Sequence, residues 1–278
     1  MSALVPEVLE EYGTLVRACL AEYLSTARSH APLMEIARDY PLRGGRMLRP
    51  SLCIASACAF GAEREDAVRT EAALELLHNA FLVHDDIEDD SDERRGRPTL
   101  HRLHGVPVAI NAGDALTVLS LRPLIDNFGW LGPRLALRVM EEAERMASET
   151  VEGQAIELAW RRDNVMVLDD SDYLAMILKK TCWYTTLYPM RVGALIGSRD
   201  RLAIDRLMRF GFFLGSAFQI QDDLLNLVGD RERYGKEIDG DLWEGKRTLL
   251  LIHLLRCSSP GERVQLAEIL SLPRALRP

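Results

Sequence analysis

The chain has 278 residues, and no Gly/Ser/Pro-rich tract or fixed-period repeat divides it, so one large domain is expected. Its net charge of −8 argues against a nucleic-acid partner, which would need a basic stripe. Five cysteines (Cys19, Cys53, Cys58, Cys182 and Cys257), odd in number and without CxxC spacing, read as reduced core thiols of a cytoplasmic protein. The start carries acids and no apolar signal segment, and apolar runs such as 249–255 are too short to form a transmembrane segment.

Long stretches without Gly or Pro, apolar at helical spacing, predict an all-α chain. Residues 6–29 read as an amphipathic helix and 32–40 as a short helix or turn. Then comes Pro41-Leu42-Arg43-Gly44-Gly45-Arg46-Met47-Leu48-Arg49-Pro50. Two glycines free the backbone there, and three arginines crowd together. Arg46 and Arg49 would share a face of the following helix, an arrangement that suits a phosphate. A solvated basic helix start gives the same pattern. Residues 51–60 continue as a helix of small residues. The next helix, 63–89, is apolar nearly all round and belongs in a bundle centre. His78 and the closing aspartates are its polar exceptions. Residues 94–106 read as a polar loop and 109–127 as a helix stopped near Pro123. A long helix covers 133–160, with Gly153-Gln154 toward its end. Residues 171–197 are helical with interruptions around Lys180-Thr181 and Pro189. A second strongly apolar helix covers 201–229, a charged loop 230–248, a helix 248–256, and one short helix lies in 260–278.

The polar chemistry gathers at the ends of the two apolar helices. Seven of the nine residues from Asp85 to Glu93 are acidic, and Arg94 and Arg95 follow at once. On a helix, Asp85 and Asp89 share a face and Asp86 flanks them, so the carboxylates repel unless something neutralises them. A hard divalent cation bound through oxygen does so, and Mg²⁺ is commonly held by one or two carboxylates, waters and substrate phosphates. Asp222 and Asp223, with Asn226 four residues on, repeat the pattern on the second apolar helix. One acidic patch is usually a solvated face; two, each embedded in an apolar helix, are hard to read as surface. The cations Arg46, Arg49, Arg94, Arg95, Lys180, Lys236 and Lys246 complete the polar set. Carboxylates for metal and cations for phosphate imply a substrate with a diphosphate head and an apolar tail. His101 and His104 lack a third ligand nearby, so zinc is not expected there.

On these motifs, the chain resembles the trans-prenyl diphosphate synthases, and bacterial geranylgeranyl diphosphate synthases in particular. The match runs from Gly44-Gly45-Arg46 through Asp85-Asp86-Ile-Glu-Asp89 and Phe218-Gln219-Ile-Gln-Asp222-Asp223 to Gly245-Lys246-Arg247-Thr248. The resemblance implies the isoprenoid synthase fold, a bundle of long helices around a cavity, working as a homodimer. It implies that isopentenyl diphosphate condenses head-to-tail with an allylic diphosphate, giving a short- to medium-chain product, geranylgeranyl diphosphate being the first expectation. By the same resemblance, Asp85, Asp86, Asp89 and Asp222 would bind Mg²⁺, three ions per site. Arg94, Lys180 and Lys236 would contact the allylic diphosphate, and Arg46, Arg49, His78 and Arg95 the isopentenyl diphosphate. Gln219, Thr181 and Lys246 would complete the site near the ionising bond. Phe81, with Ala80 beside it, would floor the hydrocarbon tunnel, although plain core packing explains Phe81 equally. Arg46 stands where the family usually has Lys, Met47 where it has Arg, and Asn226 where it has a third Asp. The C-terminal helices are expected to be shortened or truncated. Two rival readings are a terpene cyclase on the same fold and a non-catalytic subunit of a heteromeric synthase.

Overall fold

A computed structural model describes residues 4–26, 30–229 and 238–277. The chain divides into two compact units. One takes residues up to 145 together with 186–208; the other takes 146–185 and the chain from 209 onward.

The first unit opens with α1 (Leu4–Thr26), whose Val16, Leu20 and Leu24 form one buried stripe. Two short helices follow, α2 (Ala31–Ala37) and α3 (Asp39–Leu42). Then come α4 (Leu48–Ala59) and α5 (Arg64–Glu88). Leu76, Ala80 and Val83 of α5 pack with Leu20, Leu24, Met34 and Tyr40 in one core cluster. Residues 94–106 are not merely a loop. They contain a two-stranded hairpin, β1 (Glu93–Arg94) and β2 (Arg97–Pro98), and the short helix α6 (Leu100–His104). The hairpin turn, Arg95-Gly96, has positive φ at both residues, as a type I′ turn requires.

Helix α7 (Val106–Trp130) runs through Pro123 instead of stopping there. Proline forfeits one backbone N–H, but the turn beyond it is tied to α5, where Asn127 Nδ2 donates to Thr70 Oγ1 at 2.9 Å. By length and composition alone, α7 is long and apolar enough to cross a bilayer, a test that the core helix of a globular protein also passes. Its Ala109, Ala112 and Leu116 lie instead in the same protein core as α5. Close approach of the two helices depends on Gly113, where a Cβ would run into the ring of His84. Helix α8 (Pro133–Arg162) follows.

In the second unit, α9 (Asp170–Ile177) starts at a capping box. Asp169 accepts from the Ser171 and Asp172 amides at 2.8 and 3.1 Å, and the Asp172 carboxylate accepts from the Asp169 amide at 2.9 Å. The chain then widens into a π-helical segment, Leu178–Leu187, before α10 (Tyr188–Ser198) returns it to the first unit. Helix α10 is buried all round and lies on α4 through Gly193 and Gly197, where a Cβ would strike the carbonyls of Cys53 and Ala57. After the 3-10 turn Ile204–Leu207 comes α11 (Met208–Val228). Within 230–248, expected as a charged loop, residues Gly240–Glu244 form α12. Then follow α13 (Leu249–Cys257), α14 (Pro260–Ser271) and a final 3-10 turn, Arg274–Leu276. Tyr173, Met176 and Ile177 pack with Ile252 in this unit's core.

Candidate active site

At the end of α5, burial sorts the acids. Asp85 is half-buried, Asp86 fully buried, and Asp89 caps the helix with its N–H on the Asp85 carbonyl at 2.9 Å. Asp86 is held on both oxygens. Tyr40 Oη donates to Oδ2 at 2.5 Å, and Arg94 Nε donates to Oδ1 at 3.0 Å, with Nη2 on the same oxygen. Burial pushes the Asp86 carboxyl above the ordinary carboxylate range, and Arg94 opposes the rise. Arg94 Nη2 also lies 3.7 Å from Asp85.

The hairpin explains why Arg94 and Arg95 serve different partners. Arg94 belongs to β1, whereas Arg95 sits in the turn with φ of 54°. Arg95 donates to the Tyr40 carbonyl at 3.3 Å and interacts electrostatically with Glu75. Its guanidinium passes over Gly45, where a Cβ would sit 3.2 Å from Nη2. Arg49 Nη1 lies 3.3 Å from His78 Nε2. Arg49, His78, Glu75 and Arg95 therefore make one cationic cluster in the first unit. Burial raises the Glu75 carboxyl, and Arg49 and Arg95 pull it back.

Two expectations for the glycine–arginine segment need correction. Helix α4 begins only at Leu48, after Met47 in a left-handed conformation with φ of 52°. Arg46 therefore precedes the helix and is exposed, not stacked on a helix face with Arg49. Met47 is buried where α1 offers Gly13, which lacks the Cβ that would collide with it. Arg43 is no phosphate ligand in waiting. It donates to the carbonyls of Arg94 at 2.8 Å, Arg97 at 3.2 Å and Pro98 at 2.8 Å, and pairs with Asp39. It braces the hairpin.

Helix α5 also carries more buried polarity than its sequence suggests at first sight. Glu71, Glu75 and His78 recur at helical spacing on one face, and all three are buried. Neither oxygen of Glu71 has a hydrogen-bond partner among the described residues, apart from the weakly donating Cys53 thiol that borders it. Burial and the nearby Glu75 push its carboxyl up to about 8. Ala80 is fully buried in the core cluster, and Phe81, one residue on, is half-buried.

In the second unit, Lys180 and Thr181 lie inside the π-helical segment, as the expected interruption there requires. Such segments often mark functional positions. Gly153 of α8 packs against the segment's backbone, and a Cβ there would run into the Lys180 nitrogen. Lys180 pairs with Glu157 of α8. Thr181 Oγ1 donates to Gln219 Oε1 at 2.8 Å, and Gln219 Nε2 donates to Asp223 Oδ1 at 2.7 Å. Tyr173 Oη donates to Asp223 Oδ2 at 2.6 Å, completing the chain. Burial raises the Asp223 carboxyl to about 6, against the two donated bonds. Asp222, its neighbour, is half-buried. Asn226 Oδ1 accepts from the Asp241 amide at 3.0 Å, and its carbonyl accepts from Asp239 at 2.8 Å, so it anchors the start of α12. Lys246 pairs with Glu244 at 2.5 Å. Lys236 lies outside the described residues.

Among the described residues, no three His, Cys, Asp or Glu side chains converge as a ready-made metal cage. The donors at the end of α5 and within α11 are carboxylate oxygens, which suit Mg²⁺, an ion that takes few protein ligands and fills its octahedron with water and phosphate.

The polyprenyl synthetase family pattern matches residues 30–275. A short chain isoprenyl diphosphate synthase of Methanothermobacter thermautotrophicus is 34% identical over 96% of this chain and 80% of its own length. A geranylgeranyl pyrophosphate synthase of Geoglobus acetivorans is 34% identical over 90% of this chain and 76% of its own. The crystal structure of geranylgeranyl pyrophosphate synthetase from Pyrococcus horikoshii superposes with a TM-score of 0.83 at 32% identity, over 95% of this chain and 80% of that one.

Proposed function

The chain belongs to the polyprenyl synthetase family, and from that premise we propose that it condenses isopentenyl diphosphate with an allylic diphosphate to give geranylgeranyl diphosphate. It is an all-α prenyltransferase of the isoprenoid synthase fold. The allylic C–O bond breaks, leaving a delocalised cation and a diphosphate anion. The isopentenyl double bond attacks the cation, and a proton is then lost to the departing diphosphate, so no side-chain base is needed.

The carboxylates that would hold Mg²⁺ are Asp85 and Asp89 in the first unit and Asp222 in the second, and the ions would neutralise charge on the leaving diphosphate. Asp86, expected among the Mg²⁺ ligands, accepts instead from Tyr40 and Arg94 and holds Arg94 in place to meet the allylic diphosphate. Lys180 and Lys246 would add cationic contacts, a role that the family resemblance also implies for Lys236. Thr181 and Gln219, linked through Asp223 to Tyr173, present fixed dipoles to the forming cation. Arg49, His78 and Arg95, together with the exposed Arg46 that precedes α4, would receive the isopentenyl diphosphate.

The observation that carries condensation over cyclisation is the Arg49–His78–Arg95 cluster, since a cyclase needs no second diphosphate site. The test offers the purified chain an allylic diphosphate and Mg²⁺ with and without isopentenyl diphosphate. Product is expected only with both; product from the allylic substrate alone would make the chain a cyclase.

The family reading also gives a homodimer, and α7 suits it. Ile110, Val118, Leu121 and Ile125 are 43–69% exposed. They recur near helical spacing along one side, leaving an apolar stripe for a second copy. The five cysteines are free, in keeping with work in the cytoplasm.

A further inference from the structure

The two acidic motifs share a device that their sequences do not announce. Each contains an adjacent pair of aspartates, Asp85-Asp86 and Asp222-Asp223. In each pair the first is half-buried and the second is buried. In each, the buried member accepts a hydrogen bond from a buried tyrosine far off in sequence. Tyr40 donates to Asp86 at 2.5 Å across 46 residues, and Tyr173 donates to Asp223 at 2.6 Å across 50. Both phenols are almost wholly enclosed, at 1% exposure. The second oxygen of each aspartate is also occupied, by Arg94 in one case and Gln219 in the other. Tyr40 is fixed further, because the Leu100 amide donates to its oxygen at 3.3 Å, leaving the phenol proton for Asp86.

We propose that Tyr40 and Tyr173 are positioning residues for the condensation. Each pins the buried aspartate of its pair and so fixes the helix segment that presents the neighbouring carboxylate, Asp85 or Asp222, to the cation–diphosphate head of the substrate. Two adjacent carboxylates on a helix repel, and without an anchor both would swing outward among several rotamers. With one locked inward, the other is held in one direction before substrate arrives. Partners that orient a ligand without touching the ion typically contribute roughly 10–100-fold to metal affinity or activity.

The inference rests on the prenyl-condensation reading, and its test separates the two. Tyr40→Phe and Tyr173→Phe keep the packed ring and remove only the hydroxyl. Titration calorimetry follows Mg²⁺ with inorganic diphosphate as the probe. Steady-state assays in parallel measure kcat, the KM for isopentenyl diphosphate and the half-saturating Mg²⁺ concentration, each below the variant's own melting temperature. Each variant is expected to bind Mg²⁺–diphosphate roughly tenfold more weakly and to need roughly tenfold more Mg²⁺ at half-maximal rate, with the KM for isopentenyl diphosphate unchanged. Wild-type Mg²⁺ dependence in both variants, with or without a lowered melting temperature, would overturn the proposal and leave the tyrosines a purely structural role. If the wild-type chain condenses nothing, the functional reading fails, while calorimetry with inorganic diphosphate still decides the role of the tyrosines.

Discussion

Replacing Glu71 by Gln should make the protein more resistant to unfolding as the pH rises. Glu71 is fully buried on α5, and neither oxygen has a hydrogen-bond partner among the described residues beyond the bordering Cys53 thiol. Its carboxyl is pushed from 4.5 up to about 8, first by burial and then by Glu75, with Cys53 and Arg49 opposing. The unfolded chain releases this proton near the ordinary carboxylate value, whereas the folded chain keeps it until about 8. Inside that window the folded state binds more protons, so stability falls with rising pH, by about 1.4 kcal/mol per pH unit. From about pH 5.5 to about pH 7.5 the wild type should therefore lose roughly 2–3 kcal/mol relative to Glu71→Gln, which carries no proton to lose. Urea unfolding followed by circular dichroism at the two pH values reads the difference as a relative midpoint shift on the order of 1 M. The groups around Glu71, namely Arg49 and Cys53 of α4, Glu75 of α5 and Tyr188 of α10, are common to both proteins and cancel in the comparison. Parallel pH profiles for the two would refute the reasoning, because they would mean that Glu71 is already ionised in the folded state.

Phe81→Ala should lengthen the prenyl product, since it removes the bulky side chain one turn before Asp85; an unchanged distribution on reverse-phase chromatography would return Phe81 to a packing role. Gly153→Ala should cost about 1–3 kcal/mol of stability and lower kcat, because the new methyl meets the Lys180 backbone in the π-helical segment. A melting scan and a rate measurement check it, and an unaltered kcat would show that Lys180 tolerates the shift. Arg43→Ala removes the brace from three hairpin carbonyls, so the KM for isopentenyl diphosphate should rise about tenfold as Arg95 loses its platform. An unchanged KM would mean that the type I′ turn holds Arg95 unaided.

What the sequence made legible was local. Asp85-Asp86-Ile-Glu-Asp89 and the Phe218–Asp223 run stood out because acids on apolar helices are expensive. The irregularity at Lys180-Thr181 was visible as polar residues in an apolar helix, though not as a π-helical widening. Contacts made across the fold were hidden. Tyr40 and Tyr173 meet their aspartates 46 and 50 residues away, and nothing adjacent to either tyrosine advertises the bond. Glu157 is likewise paired with Lys180 only through the packing of α8 on the π segment. The buried face of α5 could have been found: Glu71, Glu75 and His78 recur at the helical period inside an otherwise apolar run. Arg46 falls outside the helix because a left-handed Met47, rare for a residue with a side chain, delays the helix by two positions. Pro123 misled in the opposite sense, since packing of α7 on α5 carries the helix past a missing hydrogen bond.

The central claim is tested most directly by chromatographic identification of the product made by the purified chain from isopentenyl diphosphate, Mg²⁺ and each allylic starter in turn. Geranylgeranyl diphosphate as the main product, formed only when both substrates are present, is the predicted result. No elongation with any starter, or a hydrocarbon released from the allylic diphosphate alone, would contradict it.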